Sequence, residues 1–462
     1  MTDRATLVRR DLAHLWHPFT QMREYASHDP VVVARGRGRE LVDLDGKAYL
    51  DGVSSLWCNL FGHRVPAIDR AVRRQLGRIA HSTLLGVTNE PAVELAARLV
   101  EVAPRGLTRV FYSDDGSTAV EVALKMAFQY WQQAYGGRWR SRKAFVAFEN
   151  AYHGDTVGSV SLGGIELFHR VYGPLTFRCF RVPSPYAYRG GADSIPLLAR
   201  TLRAHGRRIA AVVLEPRVQG AAGMLVQPQG FVRDVRRLCD RHGVLLIADE
   251  VATGFGRTGT MFAVDQEAVR PDFLCVAKGI TGGYLPLAAT LTTEEIYGAF
   301  LGRFDEYKTF FHGHTYTGNP LGCAAGIATL DLLARPALWE GLRRGIEALA
   351  EALTGLWRHP NVGDIRRAGV MTGIELVADR DTRRPFAPSR RVGYRVCLAA
   401  RRHGVLLRPL GDVVVINPPL TTTPAEMRKI VGAVEAGLQD VLGEARKPKW
   451  RGARKRAVAG RA

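Results

Sequence analysis

The sequence lacks several features that would mark a membrane or secreted protein. No apolar run approaches the roughly 18 residues needed to cross a bilayer. The N-terminus lacks the apolar segment and small-residue cleavage site of a secretory signal. The six cysteines are scattered without a CxxC pair, which argues against a disulfide framework and against a cysteine metal site. We therefore expect a cytoplasmic protein with reduced thiols and no membrane partner.

Acidic residues are absent from one segment. Residues 445–462 carry eight Lys or Arg and no Asp or Glu, out of a net charge of +20 for the whole chain. Such a composition is typical of a solvated, disordered tail. Attachment of this tail to a polyanion is the alternative; it predicts binding that weakens steeply with salt and is lost when the tail is removed. We expect no nucleic-acid partner.

The remaining pattern indicates an α/β fold. Strand-like apolar runs alternate with longer helical patterns from about residue 70 to residue 335, which predicts a mostly parallel sheet covered by helices on both faces. The predicted strands are 109–115, 144–150, 210–216, 244–250, 272–279 and 287–293. Beyond Pro336 the pattern changes to a long helix, short strands at 369–376 and 413–420, and further helices, which predicts a smaller α+β unit. Its last helix is predicted to begin at Thr423, with Pro424 in the first turn and Glu426 completing a capping box.

A lysine and an aspartate stand at the ends of two predicted strands. Asp249 ends an apolar run, and Lys278 ends another between Ala277 and Gly279. Pyridoxal 5′-phosphate (PLP) chemistry needs an amine that condenses with the cofactor aldehyde and a carboxylate that keeps the pyridine nitrogen protonated. Neighbouring parallel strands present both groups at one edge of a sheet. The alternative for Lys278 is a strand-end lysine that reaches water.

Two segments are candidates for binding a phosphate. Gly116 and Ser117 follow a strand and open an amphipathic helix, where free N–H groups and the helix dipole favour an anion. A simple helix cap is the alternative at that position. A second candidate contact lies at Gly313, His314 and Thr315, before another helix.

Two other motifs point to chemistries that we do not expect. GFGRTG at 254–259 matches the glycine spacing of dinucleotide-binding proteins, but it neither follows its strand directly nor opens a helix. His153, His312 and His314 are not accompanied by cysteine or carboxylate ligands at metal-binding spacing, so no metal site is expected. Tyr152, just after a strand, supplies an aromatic ring that can lie on a flat cofactor.

These segments together resemble the class III, fold-type I PLP aminotransferases from about residue 15 to residue 442. Within that family, LWHPFTQM (15–22), DGVSSLW (51–57), 80–96 and 406–420 resemble members that convert 8-amino-7-oxononanoate to 7,8-diaminononanoate in biotin biosynthesis. The rival expectation is another ω-aminotransferase, acting on a diamine, ornithine or 4-aminobutyrate.

The resemblance implies PLP as the cofactor and assigns a role to individual residues. The implied catalytic residues are Lys278, Asp249 and Tyr152. The implied cofactor-binding residues are Gly116, Ser117, Tyr152, Glu215, Asp249, Lys278, His314 and Thr315, with Thr315 serving the neighbouring subunit. The implied substrate-binding residues are Phe19, Trp57, Tyr152, Lys278, Gly313 and Arg408. Arg408 is implied to bind the substrate carboxylate, which suits the planar fork of a guanidinium group.

Three positions leave the amino donor open between S-adenosylmethionine and lysine. Members that use S-adenosylmethionine typically have tyrosine, tryptophan and tyrosine where this sequence has Phe19, Leu56 and Val415. Fewer hydroxyl and indole groups weaken recognition of the adenosyl sulfonium at positions expected to touch substrate.

The resemblance also implies a domain layout and a homodimer. Residues 1–70 and 336–444 are expected to form a small domain, and residues 71–335 a large PLP-binding domain. Each active site is expected to borrow residues from the partner subunit.

Overall fold

A computed structural model describes residues 3–27, 30–189 and 194–443. The tail at 445–462, for which we expect disorder, lies outside the described residues. The α-helices are α1 Arg4–His14, α2 Met22–Tyr25, α3 Ser54–Trp57, α4 Pro66–Leu76, α5 Glu90–Val102, α6 Gly116–Gln133, α7 Val157–Leu162, α8 Glu166–His169, α9 Ser194–His205, α10 Phe231–His242, α11 Glu294–Gly298, α12 Pro320–Leu333, α13 Pro336–Thr354, α14 Val392–Arg402 and α15 Pro424–Leu442.

The strands are short, with two to seven residues each. They are β1 Val33–Arg37, β2 Glu40–Asp43, β3 Ala48–Asp51, β4 Leu107–Ser113, β5 Ala144–Phe148, β6 Phe180–Val182, β7 Ile209–Leu214, β8 Val218–Gln219, β9 Leu225–Val226, β10 Leu245–Asp249, β11 Phe273–Val276, β12 Ala288–Thr293, β13 Val362–Ala368, β14 Met371–Leu376, β15 Val405–Leu406, β16 Arg408–Leu410 and β17 Val413–Ile416.

The centre of the molecule is a seven-stranded sheet in the order β4-β12-β11-β10-β7-β5-β6. The strands from β11 to β6 run parallel to their neighbours, whereas β12 is antiparallel to both β11 and β4. The prediction of a mostly parallel sheet is therefore confirmed, and all six predicted strands of this region are present. The sequence pattern did not indicate β6 or the reversed direction of β12.

Both faces of this sheet are covered, which explains why its strands are almost continuously apolar. Alternate side chains of β10 enter two different cores: Leu245 and Ile247 pack with α6 on one face, and Leu246 and Ala248 pack on the other. Helix α6 begins with a capping box in which the Asp115 carboxylate accepts a hydrogen bond from the N–H of Thr118.

Segments from the two ends of the chain meet beside the central sheet. Strand β3 pairs in parallel with β15, with Leu50 opposite Val405. A separate antiparallel sheet has the order β13-β14-β17-β16. Helix α15 begins as expected, with Thr423 as N-cap and Glu426 completing the capping box. The long helix, short strands and further helices predicted beyond Pro336 are thus present.

Within the described ranges no single helix is long and apolar enough to span a membrane. Two consecutive helical segments, Pro320–Leu333 and Pro336–Arg358, reach that length and hydropathy only when they are counted together, and they are bent by 73° relative to each other.

Candidate active site

A cavity of about 490 Å³ opens at the edge of the central sheet where the parallel strands end. Asp249 is the last residue of β10, and Lys278 lies two residues beyond β11. The N-terminus of α6 and the loops after β5 and β7 complete the wall. Ligand sites of open α/β sheets lie outside the carboxyl ends of the strands, because loops from several strands converge there. The predicted residues that line this cavity are Trp57, Gly116, Ser117, Tyr152, Glu215, Asp249 and Lys278.

Lys278 presents its amine to this cavity. Its Nζ atom lies 5.6 Å from the centre of the buried Trp57 ring, and no hydrogen bond or ion pair holds it within the described part of the chain. The removal of water by the surrounding protein lowers the pKa of Lys278, while the nearby Asp249 and Glu215 carboxylates oppose that shift. The neutral, nucleophilic form of this amine is therefore favoured relative to that of a lysine in bulk water.

Asp249 is held in place by His153. The carboxylate is only 4% exposed, and its Oδ2 atom lies 2.7 Å from Nδ1 of His153, while Oδ1 accepts a hydrogen bond of 3.1 Å from the N–H of Val251. His153 Nε2 is buried without a partner in the described chain. A carboxylate fixed by two donors presents its negative charge to the cavity in one orientation.

The sequence pattern indicated His153 only as a possible metal ligand and gave no sign of its contact with Asp249. Among the described residues no group of three or more His, Cys, Asp or Glu side chains could hold a metal ion. His312 Nδ1 instead lies 3.0 Å from the Lys125 amine. The position of His153, directly after the aromatic residue that follows β5, is the signal that could have placed it at the same sheet edge as Asp249.

The first turn of α6 offers the cavity a close backbone approach. A Cβ atom on Gly116 would lie 2.5 Å from Cγ1 of Val251, so only glycine fits there. Ser117 Oγ accepts a hydrogen bond of 3.1 Å from the N–H of Asp155. The helix is both capped by Asp115 and open to the cavity through its first two residues, so the cap and the anion site are compatible.

Gly154 is confined by the same turn, and we expect that Gly154→Ala will damage the site. Its φ of +123° is unfavourable for any side chain, and a Cβ atom would lie 2.1 Å from Ser117 Oγ. The expected result is a loss of about 1–3 kcal/mol in the free energy of unfolding, measured in urea, together with weaker PLP binding. Gly341→Ala in α13 is the matched control, because nothing lies within 4 Å of its Cβ position. Equal stability of Gly154→Ala and the wild type would contradict this account.

Glu215 joins two loops behind the cavity. Its Oε1 atom accepts a hydrogen bond of 3.0 Å from the N–H of Tyr152, and Oε2 accepts one of 2.8 Å from the N–H of Gly220. The Tyr152 hydroxyl donates to Asp155 over 2.7 Å, which fixes the ring at the cavity wall. Burial raises the pKa of Glu215 to about 7, with the nearby His153 opposing that shift and Asp249 adding to it.

This raised pKa predicts a pH dependence of stability. The unfolded chain releases the Glu215 proton near pH 4.5 and the folded chain near pH 7, so the group's contribution is complete below pH 4.5 and is lost as pH rises through 7. Glutamine at position 215 does not ionise, so the Glu215→Gln variant does not undergo this decrease in stability. Its free energy of unfolding relative to wild type should therefore rise by about 1–3 kcal/mol between about pH 5 and about pH 8 in urea titrations.

The control for this measurement is Glu340→Gln on the exposed surface of α13. Its stability relative to wild type should change little over the same pH range. A pH-independent difference between Glu215→Gln and wild type would show that Glu215 does not carry the effect, whatever the constant offset caused by the new amide.

The other predicted residues lie outside this cavity. Phe19 and Arg408 line a neighbouring cavity of about 730 Å³, and burial lowers the pKa of Arg408. His314 Nδ1 lies 3.4 Å from Asp114, which does line the first cavity, whereas Gly313 and Thr315 are exposed. Gly313, His314 and Thr315 do not appear in the cavity wall of this chain.

The three positions that bear on the amino donor are in different environments. Phe19 is exposed and packs edge-on against Phe168 at 5.3 Å between ring centres, and Leu56 is also exposed. Val415 is 1% exposed and lies within β17 among core side chains. Because Val415 is buried, its side chain offers no surface to a ligand. Of the three differences from the members that use S-adenosylmethionine, only those at Phe19 and Leu56 therefore bear on the choice of donor.

The GFGRTG segment forms turns after β10 and opens no helix, so it lacks the strand-glycine-helix arrangement of a dinucleotide-binding motif. A mostly parallel sheet with a lysine and a carboxylate at its edge is the arrangement expected of a PLP-dependent transaminase of fold type I, and solved transaminase structures have the same fold. A model of the family described as Aminotransferase class-III matches residues 22–438, and the chain belongs to that family.

Individual relatives cover nearly the whole chain. An adenosylmethionine-8-amino-7-oxononanoate aminotransferase of Nitratidesulfovibrio vulgaris is 59% identical over 94% of this chain and 82% of the relative, and one of Geobacter sulfurreducens is 52% identical over 96% and 99%. The crystal structure of the Methanocaldococcus jannaschii enzyme of that name has a TM-score of 0.92 at 43% identity, covering 95% of this chain and 100% of its own. An amine transaminase from an uncultivated Pseudomonas species, solved in its PLP-bound form, has a TM-score of 0.87 at 38% identity, covering 93% and 99%.

Proposed function

We propose that this aminotransferase converts 8-amino-7-oxononanoate to 7,8-diaminononanoate in biotin biosynthesis. The observation that carries the proposal is the high identity, over almost the full chain, to relatives named for that substrate. Two features of the described residues support it. The cavity that holds Lys278 fits a transamination site, and Arg408 in the neighbouring cavity suits the carboxylate at the far end of the oxo acid.

The residues at the sheet edge fit PLP. When bound, PLP supplies a ring that withdraws electrons from the substrate carbon bearing the amino group. We propose that Lys278 holds the cofactor aldehyde carbon and Asp249 the ring nitrogen, with Gly116 and Ser117 at the phosphate. The missing Cβ of Gly116 leaves the close approach that a phosphate needs.

The remaining steps rest on side chains of this chain. The Lys278 amine, with its lowered pKa, can accept the proton from the amine-bearing carbon of the donor. In the second half of the reaction the same amine can deliver a proton to the carbonyl carbon of the oxo acid as that carbon gains its amino group. Trp57 and Tyr152 enclose the reacting atoms and keep bulk water away. Glu215 fixes the Tyr152 backbone and thereby the position of that ring. Arg408 orients the oxo acid by its carboxylate.

S-adenosylmethionine is the amino donor that we propose, because the relatives' name includes it. Three aromatic rings connect the cavity that contains Arg408 with the catalytic cavity. The ring centre of Phe168 lies 5.3 Å from that of Phe19 and 6.4 Å from that of Tyr152. The faces of such rings can attract a sulfonium cation. Lysine is the rival donor, favoured by phenylalanine and leucine at positions 19 and 56.

One assay tests both parts of the proposal. Purified enzyme with PLP is given 8-amino-7-oxononanoate and either S-adenosylmethionine or lysine, and the diamine product is measured by mass spectrometry. Product with S-adenosylmethionine supports the proposal in full, and product with lysine alone moves the donor assignment. The absence of product with both donors, combined with turnover of ornithine, 4-aminobutyrate or a diamine, would replace the substrate assignment with that of another ω-aminotransferase.

We also propose that the enzyme is a homodimer. Several large apolar side chains near Gly313–Thr315 are exposed, and Phe304 is 93% exposed. The others in this stretch of the chain are Tyr307, Phe311 and Tyr316. A second copy of the chain would cover them and bring Thr315 to the partner's phosphate site. Sedimentation should give twice the chain mass of 50.8 kDa for wild type and the chain mass for Phe304→Glu; a monomeric wild type would contradict the proposal.

We also propose a two-domain organisation and a cytoplasmic location for the enzyme. The pairing of β3 with β15 supports a small domain formed by residues 1–70 and 336–444, beside a large domain of residues 71–335. The six cysteines are all free in the structure, which supports a cytoplasmic location.

A further inference from the structure

The cavity that contains Arg408 is unusually rich in arginine. Its wall includes Arg189, Arg391, Arg401 and Arg408. The first two are neutralised by carboxylates: Arg189 Nε donates to Glu375 over 3.0 Å, and Arg391 forms an ion pair with Glu24. The positive charge left over at this cavity therefore comes from the other two arginines.

The side chains of Arg401 and Arg408 form no ion pair and no hydrogen bond with any described residue. The Nε atom of Arg401 is buried without a partner, and burial lowers the pKa of Arg408. Both residues also line a second, smaller cavity of about 260 Å³, so the two side chains border the same space from two sides. A buried guanidinium nitrogen without an acceptor is unfavourable, and an anion placed there would supply the missing acceptor.

The carboxylates that line these two cavities have hydrogen-bond partners other than Arg401 and Arg408. Asp51 lines the smaller cavity, but it accepts hydrogen bonds from Ser55 N–H at 2.8 Å and contacts His63 Nε2 at 3.1 Å. Asp412 lines the larger cavity and accepts from the N–H of Gly393 at 2.9 Å. No acid of the described chain forms an ion pair with either guanidinium group within 4 Å, so both groups are open to a bound anion.

We propose that Arg401 is a specificity-determining residue that supplies a second positive charge, beside Arg408, for the carboxylate of the oxo acid substrate. This inference rests on the proposed function and deepens it. The wall of the same cavity is otherwise rich in apolar side chains, among them Phe19, Leu376 and Phe386. Two cations beside apolar surface fit an aliphatic chain that ends in a carboxylate, which is the chemistry of 8-amino-7-oxononanoate.

Arg401→Gln tests the inference, and Arg402→Gln is the matched control. Arg402 follows in the same helix α14, but it is exposed and paired with Asp440 at 2.6 Å. For the holoenzyme, Arg401→Gln should raise KM for the oxo acid about tenfold or more at nearly unchanged kcat, because one charge-assisted contact is lost. The methyl ester of the oxo acid should show no such change, Arg401→Lys should recover part of the loss, and Arg402→Gln should match wild type. An unchanged KM, or an equal change for acid and ester, would overturn the role of Arg401.

Binding of nonanoate separates this inference from the substrate assignment. Calorimetry on the wild-type and variant holoenzymes should show nonanoate binding that Arg401→Gln weakens and Arg402→Gln does not. If wild type does not turn over the oxo acid but nonanoate binding depends on Arg401, the proposed reaction fails and the carboxylate site stands. If wild type turns over the oxo acid and nonanoate binds both variants equally, Arg401 has no part in recognition and the proposed reaction stands. Matching thermal unfolding curves confirm that the variants are folded.

Discussion

Replacing Lys278 by alanine will abolish turnover. The variant loses the only amine in the described cavity wall, and with it both the covalent attachment of the cofactor and the group that moves the substrate proton. Because one side chain serves both purposes, the expected loss in kcat is at least about a thousandfold. The measurement is the initial rate with saturating oxo acid and donor.

A second readout keeps this test independent of the substrate. Treatment with sodium borohydride should fix the cofactor covalently to wild type at Lys278, as seen by peptide mass spectrometry, and should leave Lys278→Ala unmodified. Lys143→Ala, at an exposed lysine directly before β5, is the matched control and should behave as wild type. Turnover by Lys278→Ala, or covalent cofactor at another lysine, would refute the assignment of the site.

Replacing Asp249 by asparagine is expected to have the second-largest effect. The side chain keeps its shape but loses the negative charge that lies 2.7 Å from His153 and faces the cavity. Without that charge the pyridine nitrogen of the cofactor is no longer kept protonated, so kcat should fall by at least about a hundredfold. The rate of the first half-reaction, measured by stopped-flow absorbance with the donor alone, checks this directly.

His153→Gln distinguishes the two residues of the pair. It leaves the Asp249 charge in place but removes the ring that orients it, so we expect a fall in kcat of about tenfold and a shifted pH profile. Asp331→Asn is the control, because Asp331 is half exposed and pairs with Arg98 on the surface. If Asp249→Asn retained wild-type rates, the carboxylate would have no part in the chemistry.

The positions of Lys278 and Asp249 were predictable because they depend on local pattern. Each follows a short, continuously apolar run, and such runs become neighbouring strands of a parallel sheet that is buried on both faces. The C-terminal ends of two such parallel strands lie at the same edge of the sheet, so no further information was needed to place the two side chains near each other. Gly116 and Ser117 were predictable in the same way, since a strand followed by small residues and an amphipathic pattern predicts a helix that begins at the sheet edge.

The contact between His153 and Asp249 was not predictable in this way. The two residues lie 96 positions apart, and their pairing depends on β5 and β10 both flanking β7 in the sheet. Strand order and direction depend on tertiary packing, which is also why the antiparallel direction of β12 could not be inferred from its apolar run. The environment of Val415 was missed for a related reason: its burial follows from pairing with β14 and β16, which no local pattern specifies.

The pairing of β3 with β15 has a consequence for biogenesis. Leu50 finds its neighbour Val405 only after roughly 350 further residues have left the ribosome, which takes about 20–70 s at ordinary rates of translation. During that time the N-terminal segment has no strand to complete its sheet, while the central sheet can already assemble. We expect the nascent chain to need chaperone protection of its first strands, and the last steps of maturation to follow chain release.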